Sequence, residues 1–437
     1  MIGKRFKISS SAVNILTAII YIILFRRVYE DCLYGVFDYY GFKLENTAFR
    51  DEVITNILSF LPILLYRPNN KKASDFVAII IYVMIYVPSL ISLQYYYTDY
   101  GFAVKYQLVY LVGMCLFFLV SKNRKSLHVI RSTIYVRPKT LVLFSIFIAL
   151  VTLIVFRGNI KLVSFEDVYG LREAGGEISE SIPLFGYLYQ WMSTVFSPVL
   201  IAYGCYKKNK KLIIGGFALS LLFYMTCGMK STLFIPILSF VIYRSLNKDE
   251  NNIVKFFPWL TVGLAIPYFF YLSFQSRVAE ILVGLILMRT YGIAAYMTPI
   301  YIDVFQKYPY TYYSHIRIVD AIFGMYPFTT HDIGWEVNQA YGTVDPEANM
   351  NANFMVTDGI AAGGLLGVIF ISFLFYFFLI ILNRLTNRFD YCFVVSVMTG
   401  AVVSLTNNSL FTSLLTCGFL VVILIYKYIK IDSYGKN

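Results

Sequence analysis

Apolar segments, most of them about 20 residues long, follow one another along almost the whole 437-residue chain. Short clusters of Lys and Arg separate many of these segments. A helix needs about 20 residues to cross the hydrocarbon core of a bilayer. Hydrophobic residues make up 58% of the chain and charged residues only 14%, against about 25% charged residues in a soluble domain. The sequence therefore predicts an all-α polytopic membrane protein.

We expect about twelve transmembrane helices, which together form a single membrane domain over residues 1–437. The predicted spans lie near 8–28, 52–67, 75–96, 102–120, 140–156, 185–206, 212–228, 231–246, 257–275, 360–382, 391–407 and 410–428.

The distribution of basic residues indicates how the chain is oriented. Short basic segments lie at 67–72, 121–139, 207–211 and 384–388. Because short cytoplasmic loops are enriched in Lys and Arg, we expect these segments and both termini in the cytoplasm. Two larger loops, 157–185 and 276–359, then lie on the outer face. Within the second, we expect the apolar stretches Val278–Met288 and Ile316–Tyr326 to form helices at the membrane surface.

Familiar catalytic and cofactor motifs are not evident in the sequence. It contains no P-loop, no GxGxxG after a strand, no GxSxG and no HExxH, and no DxD pair that would hold a metal with a nucleotide sugar. The six cysteines show neither CxxC nor Cys/His metal spacing. We therefore expect no cofactor and no metal. The net charge of +12 follows the positive-inside pattern, so we expect no nucleic-acid partner.

Five basic residues on the predicted outer face are candidates for binding an anionic lipid head. They are Arg172, Lys230, Arg277, Arg289 and Arg317. Arginine suits the bidentate recognition of phosphate, and a cation embedded in apolar sequence, as at 230 and 289, is costly and suggests a function. The alternative is that each pairs with a loop carboxylate or extends to lipid head groups. We predict that the first four converge on one outward-facing cavity.

The second outer loop also contains candidates for acid–base chemistry and sugar binding. It holds His315 and His331, and we take His331 as the candidate general base. Asn353 and Asp358 precede a helix rich in small residues, where the carboxylate could orient a hydroxyl. Its alternative role is that of an N-cap or first-turn acid favoured by the helix dipole. Tyrosines near 308–313 and Trp335 could stack on sugar rings or belong to an interfacial aromatic belt.

These features together resemble the O-antigen polymerase family, the Wzy-type polymerases of oligosaccharide repeat units. The resemblance rests on about twelve helices, two polar outer loops, and the Asn-Phe…Asp-Gly…Gly-Gly pattern at Asn353, Asp358 and Gly363. It also rests on Cys227-Gly228-Met229-Lys230-Ser231, where this family and the related ligases often have Ser-Arg. Lysine keeps the charge but loses the bidentate fork of arginine.

The resemblance implies a glycosyltransferase that joins repeat units carried on undecaprenyl pyrophosphate into O-antigen or capsule. The reaction would take place at the outer face of the bacterial cytoplasmic membrane. It implies catalytic roles for His331, Asp358 and Arg289. It implies substrate binding by Arg172, Lys230, Arg277, Arg317 and Asn353. Membrane lipid, a flippase and a chain-length regulator would be its partners.

Two other functions fit parts of the same pattern. O-antigen ligases share the architecture but use a histidine in the late outer loop that is typically followed by Asn, Ser or Gln. Here His315 is followed by Ile and His331 by Asp, which disfavours a ligase. A polysaccharide flippase or secondary transporter would also have about twelve helices, but with short loops on both faces.

Overall fold

The computed structural model describes residues 10–122, 135–163, 168–182, 184–248, 250–342 and 349–430. The regular structure of these residues is helical, and their one β-type contact is an isolated bridge between Val136 and Ile429. This confirms the predicted all-α class. The helices are Ser10–Tyr40, Phe49–Phe60, Ala73–Tyr96, Tyr100–Lys122, Pro138–Val155, Val168–Glu180, 185–206, Lys210–Cys227, Ser231–Lys248, Phe256–Phe274, Arg277–Lys307, Arg317–Phe323, Ile333–Tyr341, Val356–Thr386, Tyr391–Leu405, Leu410–Leu415 and Phe419–Tyr428.

Within the described part of the chain, eight helices are long and apolar enough to cross a membrane. They are Ser10–Tyr40, Ala73–Tyr96, Tyr100–Lys122, Pro138–Val155, Lys210–Cys227, Phe256–Phe274, Arg277–Lys307 and Val356–Thr386. Tyr391–Leu405 and Phe419–Tyr428 are shorter apolar helices. The prediction of a multi-pass membrane protein is confirmed, and the count of about twelve spans stays a prediction.

The large predicted loop needs one correction. The sequence predicts a short surface helix at Val278–Met288, whereas the structure has one continuous helix, Arg277–Lys307, of 31 residues. We call it the Arg277 helix. Arg289 and Asp303 lower the local hydropathy along this helix, and for that reason the sequence indicated a loop. The smaller predicted loop, 157–185, likewise contains a helix, Val168–Glu180.

Several segments whose orientation was predicted lie outside the described residues. These are both termini, at 1–9 and 431–437, residues 123–134 of the basic segment 121–139, and residues 164–167 and 343–348 of the two predicted outer loops. Their predicted sides of the membrane stay predictions.

The chain divides into two compact units, whereas the sequence predicts a single membrane domain. The first unit comprises Met1–Arg124, Ile253–Ile380 and Thr406–Leu410, and the second comprises Lys125–Asn252, Ile381–Leu405 and Phe411–Asn437.

The core of the first unit is the helix Ala73–Tyr96, which is buried along almost its whole length. Hydroxyl groups fasten it to the Arg277 helix. The Ser89 and Thr298 hydroxyl oxygens are 2.8 Å apart, and Ser92 donates to the Ala295 carbonyl. Such hydrogen bonds hold helices together in a membrane, where the lipid is as apolar as the helix surfaces and gives no hydrophobic driving force for their association.

Small residues allow close packing in the second unit. A Cβ at Gly216 would lie 2.6 Å from the Ile201 side chain. The helices 185–206 and Lys210–Cys227 could therefore not approach as closely with a larger residue at this position. Ser197 donates to the Gly216 carbonyl at 2.8 Å. The hydroxyls of Ser239 and Ser396 lie 2.8 Å apart.

Candidate functional site

The segment from Tyr308 to Tyr341 is ordered by carboxylates that accept backbone and hydroxyl hydrogen bonds. Glu336 accepts from the hydroxyls of Thr329 and Thr330 and from the Thr330 N–H. Burial alone would raise the pKa of Glu336, but the hydrogen bonds from Thr330 and Thr329 outweigh it and hold the pKa below its usual value.

His331 and Asp320 form an acid–base dyad in this segment. The Nε2 atom of His331 lies 3.2 Å from Oδ2 of Asp320, and Oδ1 of the same carboxylate accepts the Tyr326 N–H at 2.9 Å. The imidazole stacks on the Tyr326 ring with centroids 4.6 Å apart. One third of the His331 side chain is exposed, and its Nδ1 has no hydrogen-bond partner among the described residues. The dyad can therefore present one basic nitrogen to a ligand.

Tyr326 supports the dyad as a neutral ring. Burial and the nearby charges of Glu336 and Asp332 raise the pKa of Tyr326 well above its usual value. Asp332 is engaged, because it caps the following helix through the N–H groups of Gly334 and Trp335.

A chain of aromatic contacts extends from the dyad. The Tyr326 ring contacts Phe328, which in turn contacts Tyr308 with centroids 6.1 Å apart. Tyr308, Tyr312 and Trp335 are all exposed. Exposed ring faces beside a polar dyad are suited to packing against sugar rings.

Asp358 pairs with His315, a histidine that we did not choose from the sequence. The Nε2 atom of His315 lies 3.0 Å from Asp358 Oδ1, and its Nδ1 lies 3.0 Å from the Thr311 hydroxyl. The other carboxylate oxygen accepts the Leu410 N–H at 2.6 Å. Asp358 is fully buried and the His315 side chain nearly so. Both nitrogens of His315 and both carboxylate oxygens of Asp358 are therefore hydrogen-bonded within the protein. The pair holds the segment around His315 in place, and Asp358 could orient the hydroxyl of a ligand only if one of these hydrogen bonds were broken.

Backbone strain is concentrated in the segment that holds this histidine. Tyr312 and Tyr313 have φ angles of 46° and 67°, a left-handed conformation that costs a non-glycine residue about 1–2 kcal/mol. The N–H groups of Thr311 and Tyr312 donate to the carbonyls of Ala361 and Ala362. Strained residues held in this way cluster at functional sites.

The helix Val356–Thr386 is broken where these carbonyls are released. Gly364 has a φ of 59°, in the left-handed region, and a Cβ there would lie 2.6 Å from the Tyr310 hydroxyl. Only glycine fits this position, because of both its backbone and its neighbour.

Four of the five predicted cations are exposed arginines. Among the described residues, the side chains of Arg172, Arg277, Arg289 and Arg317 make no hydrogen bond and no ion pair. Pairing of these arginines with a loop carboxylate is therefore not seen within the described part of the chain, and pairing with the loop carboxylates outside it stays untested. Lys230 is half-buried between two helices of the second unit.

The structure divides these residues between the two units. Arg172 and Lys230 belong to the second unit, and the other predicted site residues belong to the first. Within the second unit, Gly175, on the helix that carries Arg172, packs against the backbone of Thr226 and Cys227. Arg172 thus lies beside the segment that leads to Lys230, while the convergence of all four cations stays a prediction.

Asn353 has a structural task. Its Oδ1 accepts the Met355 N–H at 3.0 Å, and its carbonyl accepts the N–H groups of Val356 and Thr357. It therefore caps the helix that carries Asp358. Its Nδ2 is buried and has no partner among the described residues.

Comparison of the chain with protein-family models, curated proteins and solved structures finds no match. Among the described residues, no three His, Cys, Asp or Glu side chains form a group that could hold a metal ion.

The first unit contains a buried arginine network that was not predicted from the sequence. Arg26 donates to Asn56 Oδ1 at 2.7 Å and to Gln94 Oε1 at 2.8 Å, lies 3.7 Å from a Glu52 oxygen and sits over the Tyr95 ring. The signal was an arginine pair, Arg26-Arg27, at the end of an apolar span. We took that pair only as the end of the first helix.

Proposed function

We propose that this protein polymerises lipid-linked oligosaccharide repeat units at the outer face of the bacterial cytoplasmic membrane. The observation that best supports this proposal is the His331–Asp320 dyad, a base that is one third exposed on an aromatic segment of a multi-pass membrane protein. The donor and the acceptor would both be undecaprenyl-pyrophosphate-linked saccharides.

The dyad suits the activation of a sugar hydroxyl. Asp320 holds the Nε2–H of His331, so the lone pair of Nδ1 remains to take the proton of the acceptor hydroxyl. The acceptor oxygen then attacks C1 of the donor sugar, and the bond from C1 to the pyrophosphate breaks. Undecaprenyl pyrophosphate leaves with the electron pair of that bond.

The departing pyrophosphate needs a cation beside the dyad. Arg317 begins the helix on which Asp320 lies one turn later, so the two side chains share a face of that helix. Its side chain has no counter-ion among the described residues, which leaves the guanidinium available for a phosphate. A cation preorganised at a leaving group is usually a large contribution to catalysis.

The test uses membranes that contain the full-length protein and lipid-linked repeat units. We expect a ladder of polymer lengths on a gel, and we expect His331→Ala to leave single repeat units unreacted. Transfer of repeat units to a lipid A core instead of to one another would mark the protein as a ligase. Normal ladders from membranes that lack the protein would contradict the proposal.

A proton-linked transporter is a second candidate, favoured by the His315–Asp358 pair. The pair is buried at the break of the helix Val356–Thr386, and ionisable residues beside interrupted helices mark ion paths in many transporters. Uptake of a lipid-linked saccharide into proteoliposomes, driven by a proton gradient and without polymer formation, would favour this function over polymerisation.

A further inference from the structure

A second cluster of charge and aromatic rings lies in the first unit. It consists of Arg289, Tyr39, Tyr40 and Tyr296, and we call it the Arg289 cluster. The ring centroids of Tyr39 and Tyr40 are 4.6 Å apart, and those of Tyr40 and Tyr296 are 5.4 Å apart. Arg289 lies on the Arg277 helix between Gly284 and Gly292, the positions at which that helix packs against the end of the helix that carries Tyr39 and Tyr40. Tyr39 is 52% exposed, so its ring is available to a ligand.

Two glycines bring the members of this cluster together. A Cβ on Gly292 would lie 2.8 Å from the Leu33 side chain, and one on Gly284 would lie 3.5 Å from Phe37. The Arg277 helix therefore packs closely against the end of the helix Ser10–Tyr40. Between these glycines the Arg277 helix is π-helical, and such stretches occur frequently at functional sites.

The chemistry of the Arg289 cluster favours a phosphate-bearing saccharide. An exposed arginine within an apolar helix, without a counter-ion among the described residues, is suited to an anion supplied by a ligand. Guanidinium binds phosphate through paired hydrogen bonds. The adjoining tyrosine rings offer apolar faces edged with hydroxyl groups, which match a sugar next to the phosphate.

The proposed reaction requires two pyrophosphates in two different places. The donor pyrophosphate is the leaving group, so it must lie at the dyad. The acceptor keeps its own pyrophosphate, which is separated from the reacting hydroxyl by the length of one repeat unit. We infer that Arg317 holds the donor pyrophosphate and that the Arg289 cluster holds the pyrophosphate and first sugar of the acceptor. This inference rests on the proposed function, and it moves Arg289 from catalysis to acceptor binding.

The experiment measures initial rates with the purified full-length protein in nanodiscs. The acceptor concentration is varied at saturating donor. We expect Arg289→Ala to raise the KM for the acceptor roughly 10- to 100-fold, as expected for the loss of hydrogen bonds to a charged group, while kcat changes little. Tyr39→Ala should raise the same KM, and Tyr39→Phe should retain most of the binding. Arg50→Ala, at an exposed arginine elsewhere on this unit, is the matched control.

Three outcomes would overturn the inference while the proposed function stands. The first is a loss of kcat in Arg289→Ala with an unchanged acceptor KM, and the second is kinetics equal to those of the wild type. The third is a native mass spectrum in which Arg289→Ala has lost bound phosphatidylglycerol while the number of bound undecaprenyl-pyrophosphate saccharides is unchanged. That result would make the cluster a phospholipid site. The absence of polymer from the wild-type protein would instead contradict the proposed function itself.

Discussion

The Nε2 atom of His331 lies 3.2 Å from Oδ2 of Asp320, and the other nitrogen of the imidazole has no partner among the described residues. If this dyad is the general base, His331→Ala should lower the rate of polymerisation about 10²- to 10⁴-fold. Asp320→Asn should have a smaller effect, because the imidazole remains but loses its orientation. Gel ladders from membranes with equal protein levels measure both. Full-length ladders from His331→Ala would place the base elsewhere.

Arg317 offers a direct test of leaving-group stabilisation. We expect Arg317→Ala to reduce kcat about 10²- to 10³-fold, or ~3–4 kcal/mol, because a preorganised donor to the departing phosphate is lost. Arg317→Lys should recover part of the rate, since it keeps the charge but not the fork. An altered acceptor KM with normal kcat in Arg317→Ala would assign this residue to binding instead.

Gly364 and Gly363 form a matched pair at the helix break. Gly364→Ala should destabilise the protein by about 1–2 kcal/mol or more, because the left-handed φ of 59° is strained for alanine and the new Cβ would meet the Tyr310 hydroxyl. Gly363→Ala should be close to neutral, since its φ is extended and nothing lies within 4 Å of the new Cβ. Thermal unfolding in detergent compares the two, and equal losses would argue against this account of the break.

Arg26 and Arg27 are neighbours with very different surroundings. Arg26→Ala should cost about 3 kcal/mol, because it leaves the part-buried amide of Asn56 and the buried amide of Gln94 without their charged donor. Arg27→Ala should cost less than about 1 kcal/mol, since its pair with Glu30 is exposed. Both values come from thermal unfolding of the purified protein, and the reverse ranking would contradict the assignment of Arg26 as a core residue.

The path of the Arg277 helix relative to the membrane can be tested by cysteine labelling in intact cells. From the distribution of basic residues, we expect Ser276→Cys and Tyr308→Cys both to react with an impermeant reagent added outside. Lys207→Cys should be protected as a cytoplasmic control. Protection of the cysteine at 308 together with labelling of the one at 276 would show that this helix crosses the bilayer.

The lengths of the apolar segments predicted the helical membrane fold, because the position of such helices depends only on local hydropathy. The same criterion missed the helical character of residues 289–307, where Arg289 and Asp303 lower the hydropathy. Asp303 is accommodated because it accepts hydrogen bonds from Tyr96 and Tyr97, which are far away in the sequence. A local pattern does not contain such a partner.

The candidate site was predictable in its residue types but not in its pairings. We could identify His331 as a loop histidine, yet its partner Asp320 became apparent only from the fold. We also expected Asp358 to be accessible, whereas it is buried against His315. Both pairings depend on turns whose geometry the sequence does not state, such as the left-handed pair at Tyr312 and Tyr313.

The Arg26 network bears on how the protein is made. Every partner of this buried charge described above lies between Glu52 and Tyr95, so all of them have been synthesised within 70 residues of the arginine itself. The nascent chain can therefore satisfy the buried charge of Arg26 during translocon insertion, before the ribosome reaches the second unit. The contact between Asp358 and Leu410, by contrast, can form only after Leu410 has been synthesised. A truncated chain that ends after Lys122 should thus already protect Arg26, whereas no truncation before Leu410 could complete the environment of Asp358.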